Sequence, residues 1–135
     1  MAVYLGLDAS TQSLTATLID ASAGRREVIV EESLVYDRDL PEYGTAHGVI
    51  RGDDPAVVMA PAVMWVEALD RVMAKLVADL PAAMTRLAAI SGSAQQHGSV
   101  YLTRRGVARL AMLDARLTLA SQRAAAFSPP MSPVW

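Results

Sequence analysis

The sequence predicts an α/β fold, a three-stranded antiparallel meander joined through a helical crossover to a fourth, parallel strand. Three observations carry that expectation. Residues 3–20 (VYLGLDASTQSLTATLID) hold two β-rich runs around a short polar turn, and Val3, Leu5, Leu7 and Leu14, Ala16, Leu18 recur at every second position. A third β-rich run, residues 27–36 (EVIVEESLVY), follows after a turn at 21–24, so consecutive strands joined by short turns form a meander. Beyond it, a stretch at helical spacing precedes another short strand-like run, and a helix between two strands implies a crossover to a parallel neighbour.

Each element follows from its residues. The first two strands are apolar on both faces in places, which predicts a sheet covered on both sides. Between them, Ala9, Ser10, Thr11, Gln12 and Ser13 form a small, hydroxyl-rich turn just after the Asp8 carboxylate. Such a turn can aim several backbone N–H groups at one anion. An acid beside it suits Mg²⁺ on a polyphosphate, because that ion keeps most of its waters and takes one or two carboxylates. The plainer alternative is an Asp that bonds its own turn amides.

Residues 37–52 (DRDLPEYGTAHGVIRG) are rich in turn formers and charges and read as one long loop. Pro61 suits the first position of a helix. Trp65, Leu69, Val72, Leu76 and Leu80 then share one stripe, while Glu67–Arg71 and Lys75–Asp79 are spaced for pairing at i,i+4. Trp65 and the methionines of this stretch read as core packing. Pro81 restarts the chain into a turn holding Met84 and Leu87. Residues 88–93 read as a short buried strand and 99–103 as another. Helical propensity extends over 107–126, with Leu110, Leu113, Leu117 and Ala120 on one face, and 128–135 reads as an extended, proline-rich segment.

The corner Gln95-Gln96-His97 lies at the exit of the expected parallel strand, on the edge where Asp8 also opens and where ligands bind in open α/β sheets. Two amides and an imidazole offer the mixed donors and acceptors that a polyol requires. A histidine that merely satisfies a turn carbonyl is the competing explanation. His47, in the long loop, has no partner nearby in sequence.

Bulk properties narrow the function. The chain has 135 residues, enough for one domain, and a net charge of −2, so it carries no electrostatic footprint for nucleic acid or anionic membrane. It has no cysteine, which excludes disulfides and thiolate chemistry and fits a cytoplasmic setting. The apolar run at 56–66 is broken by Pro61 and is too short to span a bilayer. Phe127 is the only phenylalanine, so an aromatic platform for stacking bases is missing.

Together, LGLDASTQSLTATLID, VEESLVYDRDLPEYGTAHGV, PAVMWVEALD, ISGSAQQHGSVYL and the closing SPVW resemble successive segments of the FGGY carbohydrate kinases, most closely the animal-type xylulose kinases. The resemblance implies an actin-like ATPase fold, a ribonuclease H-like domain, with residues 1–135 forming the N-terminal part of the first of two domains and the remainder absent. It implies ATP and Mg²⁺ as cofactors and D-xylulose as the sugar, phosphorylated to D-xylulose 5-phosphate. By position, Asp8 would handle the metal, Ser10, Thr11 and Gln12 would line the phosphate turn, and Gln96 and His97 would contact the ketose. The catalytic base is expected beyond Trp135, so the resemblance implies negligible turnover for these residues alone, with a homodimer as one assembly open to the full-length enzyme. The commoner turn of the family has glycine where Ser10 and Ser13 stand, and often a basic residue at Thr15. A kinase for ribulose, glycerol or gluconate, and a non-catalytic binding module on the same scaffold, remain the alternatives.

Overall fold

The structure is a computed structural model and describes residues 2–22, 24, 26–96, 98–114, 116–117, 122 and 131–133. Strands β1 (Val3–Ala9), β2 (Ser13–Asp20) and β3 (Glu27–Val35) form the expected meander, and β6 (Leu87–Ala94) lies parallel to β1, in the order β3-β2-β1-β6. Between β3 and β6 come a single helical turn α1 (Tyr36–Asp39), a 3₁₀ turn (Pro41–Tyr43), β4 (Ile50–Arg51), β5 (Val58–Pro61), α2 (Ala62–Asp79) and α3 (Pro81–Met84). A second, small sheet pairs β5 with β4 and with β7 (Met131–Pro133). Helix α4 (Arg104–Leu110) follows β6.

Alternation in β1 and β2 decides where the core sits. Val3, Leu5, Leu14, Ala16 and Leu18 all point to one face and are buried, together with Leu34 near the end of β3 and Tyr36 at the start of α1. Helix α2 closes that face with Met64, Ala68, Val72 and Leu76, each buried. The helix begins one residue after Pro61, whose extended backbone serves as the N-cap and ends β5. Its buried stripe is broader than the periodicity alone indicates. Ala62, Val63 and Val66 are also buried, whereas Trp65 and Leu69 are only half-buried. On the outer face, Arg71 pairs with Glu67, and Lys75 pairs with Asp79 at 2.5 Å, as the i,i+4 spacing predicts.

Four expectations are corrected. The sheet is not covered on both sides among the described residues, since Tyr4, Asp8 and β6 beyond Leu87 are exposed. The run at 88–93 forms a strand, as expected, yet Ile90 is 53% exposed, because α2 packs mainly across β2 and β3 rather than over β6. The long loop is not irregular. Leu40 is fully buried, its N–H donates to the Tyr36 carbonyl, and successive short turns satisfy the backbone locally. The expected strand at 99–103 is absent, because Thr103 instead caps α4, its hydroxyl accepting from the Gly106 N–H at 3.0 Å.

The expected helix over 107–126 starts earlier, at Arg104, and ends at Leu110. Ala120 and most of the residues after Leu117 lie outside the described set, as do Val134 and Trp135 of the closing segment. Among the described residues no helix is long and apolar enough to cross a membrane.

Candidate functional site

Asp8 stands near the carboxyl end of β1, exposed, on the face opposite α2. Ser93 of β6 is its register partner, and the Ser93 hydroxyl donates to Asp8 Oδ1 at 2.6 Å. Among the described residues no basic side chain pairs with this carboxylate. Asp8 also faces Thr15 of β2, and Thr15 faces Ser33 of β3, their hydroxyls 3.2 Å apart. A polar row, Ser93–Asp8–Thr15–Ser33, therefore crosses all four strands at one level.

The turn after β1 folds onto its own serine. Ser10 Oγ accepts from the N–H groups of Gln12 at 3.4 Å and Ser13 at 3.2 Å, and donates to the Ser13 carbonyl at 3.1 Å. Two of the amides expected to face an anion are thus turned toward a neutral hydroxyl, at long distances. A charged oxygen is a stronger acceptor for such amides and can compete for them. Tyr36 holds the turn from the core side. Its N–H donates to the Gln12 carbonyl at 2.9 Å and its hydroxyl to the Ser10 carbonyl at 3.4 Å. Burial, and then the nearby Asp8 charge, push the Tyr36 phenol up to about 12, so it remains a neutral donor.

The glutamine corner reaches the same place. The Gln95 N–H donates to the Ala9 carbonyl at 2.8 Å, which extends the β1–β6 pairing by one residue. A cavity of about 440 Å³ is lined by Asp8, Ser10, Thr11, Ala94, Gln95 and Gln96, so the acid, the turn and the amides share one opening. A second cavity of about 250 Å³ continues from Ser10 and Gln95 to Trp65, Gly98 and Val100. Among the described residues the buried Gln95 side-chain oxygen has no hydrogen-bond partner.

His97 lies outside the described residues. His47, in the loop, has a left-handed backbone, φ 57°, and its N–H donates to Asp37.

Two residues at the site were not read from the sequence as functional. Ser93 gains its place only through a register between strands some eighty residues apart, which no local pattern encodes. Trp65, read as core packing, is half-buried and lines the second cavity as well. Its apolar stripe gave no signal of that.

The donor set can be tested against a metal. Among the described residues no group of three or more His, Cys, Asp or Glu could hold an ion by itself. One exposed carboxylate at an open cavity fits Mg²⁺, whose remaining ligands are water and phosphate oxygens.

No family model matches the chain. It is 40% identical over 136 residues to Xylulose kinase 2 of Arabidopsis thaliana, an alignment covering 98% of this chain and 23% of that protein. The chain's sequence kinship is with the xylulose kinases. It is likewise 40% identical to the Xylulose kinase of Rattus norvegicus over 131 residues (97% of this chain, 24% of that protein) and 39% identical to the Xylulose kinase of Schizosaccharomyces pombe over 134 (98% and 22%). The chain thus spans less than a quarter of the length of these relatives.

Among solved structures, a xyloylose kinase from Brucella ovis matches with a TM-score of 0.59 at 23% identity, covering 84% of this chain and 24% of that one. That likeness concerns the fold. With the strand order β3-β2-β1-β6, it bears out the actin-like, ribonuclease H-like α/β architecture. The xylulose-kinase resemblance carried by the quoted motifs is borne out along nearly the whole chain.

Proposed function

We propose that this chain is the N-terminal part of the first domain of an ATP-dependent D-xylulose kinase, supplying one wall of the cleft in which the sugar is phosphorylated. The observation that carries the reading is the single cavity bounded by Asp8, the Ser10–Thr11 turn and Gln95-Gln96. An acid with an amide-rich turn suits a triphosphate, and paired amides suit a polyol. They open together at the carboxyl end of two parallel strands, the edge where such sheets take ligands. Kinship with xylulose kinases selects the sugar.

In this reading Asp8 holds Mg²⁺, which when bound neutralises phosphate charge. Ser10, Thr11 and Gln12 orient the phosphates. Gln96 and His97 orient the ketose. Phosphoryl transfer passes through a loose transition state, so placement and charge neutralisation supply most of the catalysis. The base and the adenine pocket belong to parts of the enzyme beyond Trp135, and closure of the two domains completes the site.

The test is Asp8→Ala in the full-length enzyme, assayed with ATP and D-xylulose. The rate should fall by about a hundredfold or more, as for loss of a preorganised electrostatic group. The KM for sugar should hold within about twofold, as when an interaction made mainly in the transition state is lost. An unchanged rate would sink the proposal. Residues 1–135 alone should show no measurable turnover.

A further inference from the structure

We infer that the loop at residues 45–48, fixed by the Asp37 carboxylate, clamps the Ser10–Ser13 turn from outside, and that Asp37 and Gly48 are positioning residues for the nucleotide phosphates. The inference rests on reading that turn as the phosphate turn.

Gly48 is buried with φ +77°, and a Cβ built on it would lie 1.9 Å from the Thr11 carbonyl oxygen, 2.8 Å from its carbon and 3.1 Å from Gln12 Cα. All three are backbone atoms, which cannot rotate aside. The loop and the turn therefore touch main chain to main chain, an approach that only glycine permits.

Asp37 sets the loop's shape. One carboxylate oxygen accepts from Thr45 Oγ1 at 2.6 Å and from the Gly48 N–H at 3.0 Å; the other accepts from the His47 N–H at 2.6 Å. These bonds stabilise the left-handed backbone of His47, and the Ala46–Val49 bridge closes the loop. Asp37 directly follows Tyr36, which holds the Ser10 and Gln12 carbonyls. One dipeptide thus grips the turn twice, by direct bonds on the core side and through Gly48 on the other.

The turn is closed by the Ser10 N–H donating to the Ser13 carbonyl at 2.9 Å. The Gln12 and Ser13 amides, however, reach Ser10 Oγ at 3.4 and 3.2 Å, so the aim of these two depends on what packs around them. A binding constellation must be held within about 0.5 Å of its productive geometry by the shell around it.

The experiment uses the full-length enzyme carrying Gly48→Ala, Asp37→Asn or His47→Gly. It reads KM for MgATP, KM for D-xylulose, and hydrogen exchange at the Gln12 and Ser13 amides. Gly48→Ala should raise KM for MgATP about tenfold, the scale of a small misplacement. It should leave KM for the sugar within about twofold and speed exchange at both amides. Asp37→Asn should shift the same readouts in the same direction by less, and it carries the test if Gly48→Ala does not accumulate as folded protein. His47→Gly keeps the N–H and suits a positive φ, so it should match the parent.

Unchanged exchange, or equal losses for nucleotide and sugar, would overturn the clamp. Faster exchange with an unchanged KM for MgATP would overturn its positioning role. In that last case, an Asp8→Ala enzyme that also keeps its activity would show that the phosphate reading itself has failed.

Discussion

The two faces of the main sheet are built from the same four strands yet obey different rules. On the α2 side, Val3, Leu5, Leu14, Ala16 and Leu18 are buried against Met64, Ala68, Val72 and Leu76. On the other side, successive cross-strand rows grade from Ser93–Asp8–Thr15–Ser33 through Ser91–Gly6–Thr17–Glu31 to Ala89–Tyr4–Ile19–Val28. The open face is therefore polar at the carboxyl end of β1, where the candidate site lies, and apolar at the amino end. The buried core lies on one face, and the proposed site lies at one end of the other. A substitution's effect should thus depend more on its face than on its position along the strand.

That contrast can be broken most forcefully at Leu5, which is 1% exposed. Leu5→Ala should destabilise the chain by about 2–5 kcal/mol, through lost burial and the cavity left behind. Urea unfolding measures it, and a loss below about 1 kcal/mol would mean that the α2 face is not the core.

A smaller effect is expected at Tyr36, where core and site meet. Its folded pKa, about 12, lies above the ordinary tyrosine value, so the folded state holds the proton more tightly. Stability from this group is complete below about pH 10 and is lost as pH rises through 12. Tyr36→Phe should flatten that alkaline limb in thermal melts recorded against pH. An unaltered limb would show that Tyr36 is not its source.

Glu67 sharpens the comparison from the outer side of α2. It accepts from the Tyr43 hydroxyl at 2.6 Å and pairs with Arg71, and these partners, Tyr43 first, hold its carboxyl below the usual range. A depressed pKa contributes stability above the unfolded value that fades as pH falls through the folded one. Glu67→Gln should cost about 1 kcal/mol at neutral pH, typical of one hydrogen bond. The difference from the parent should shrink on acidification, and a pH-independent cost would remove the charge from the explanation.

The smallest changes belong to the open face. Thr15→Val, in the polar row but away from the α2 core, should alter stability by no more than about 0.5 kcal/mol. A loss comparable to Leu5→Ala would erase the distinction between the faces.

How far the site was legible follows from the same contrast. Asp8, Ser10, Thr11 and Gln12 could be read because a carboxylate followed by a hydroxyl-rich turn is a contiguous feature. Gln96 was read from its place after a strand, and it does line the cavity with Asp8. Ser93 and Gly48 could not be read, since each acts on a backbone or side chain distant in sequence. The exposure of β6 was misjudged for a related reason. Small apolar residues flanked by turns describe a strand, but burial depends on what packs over it.

By itself, the sequence determined what is periodic and local: the meander, the α2 stripe, the polar turn and the kinship they carry. Those features arise from side-chain spacing along a few consecutive residues, where steric and solvation preferences act without regard to the rest of the chain. Only the tertiary structure decided that Ser93 reaches Asp8, that Gly48 lies against Thr11, and that one face of the sheet stays open. Each depends on strand register and on close approach between distant segments, and neither is set until the whole sheet and its covering helix have settled together.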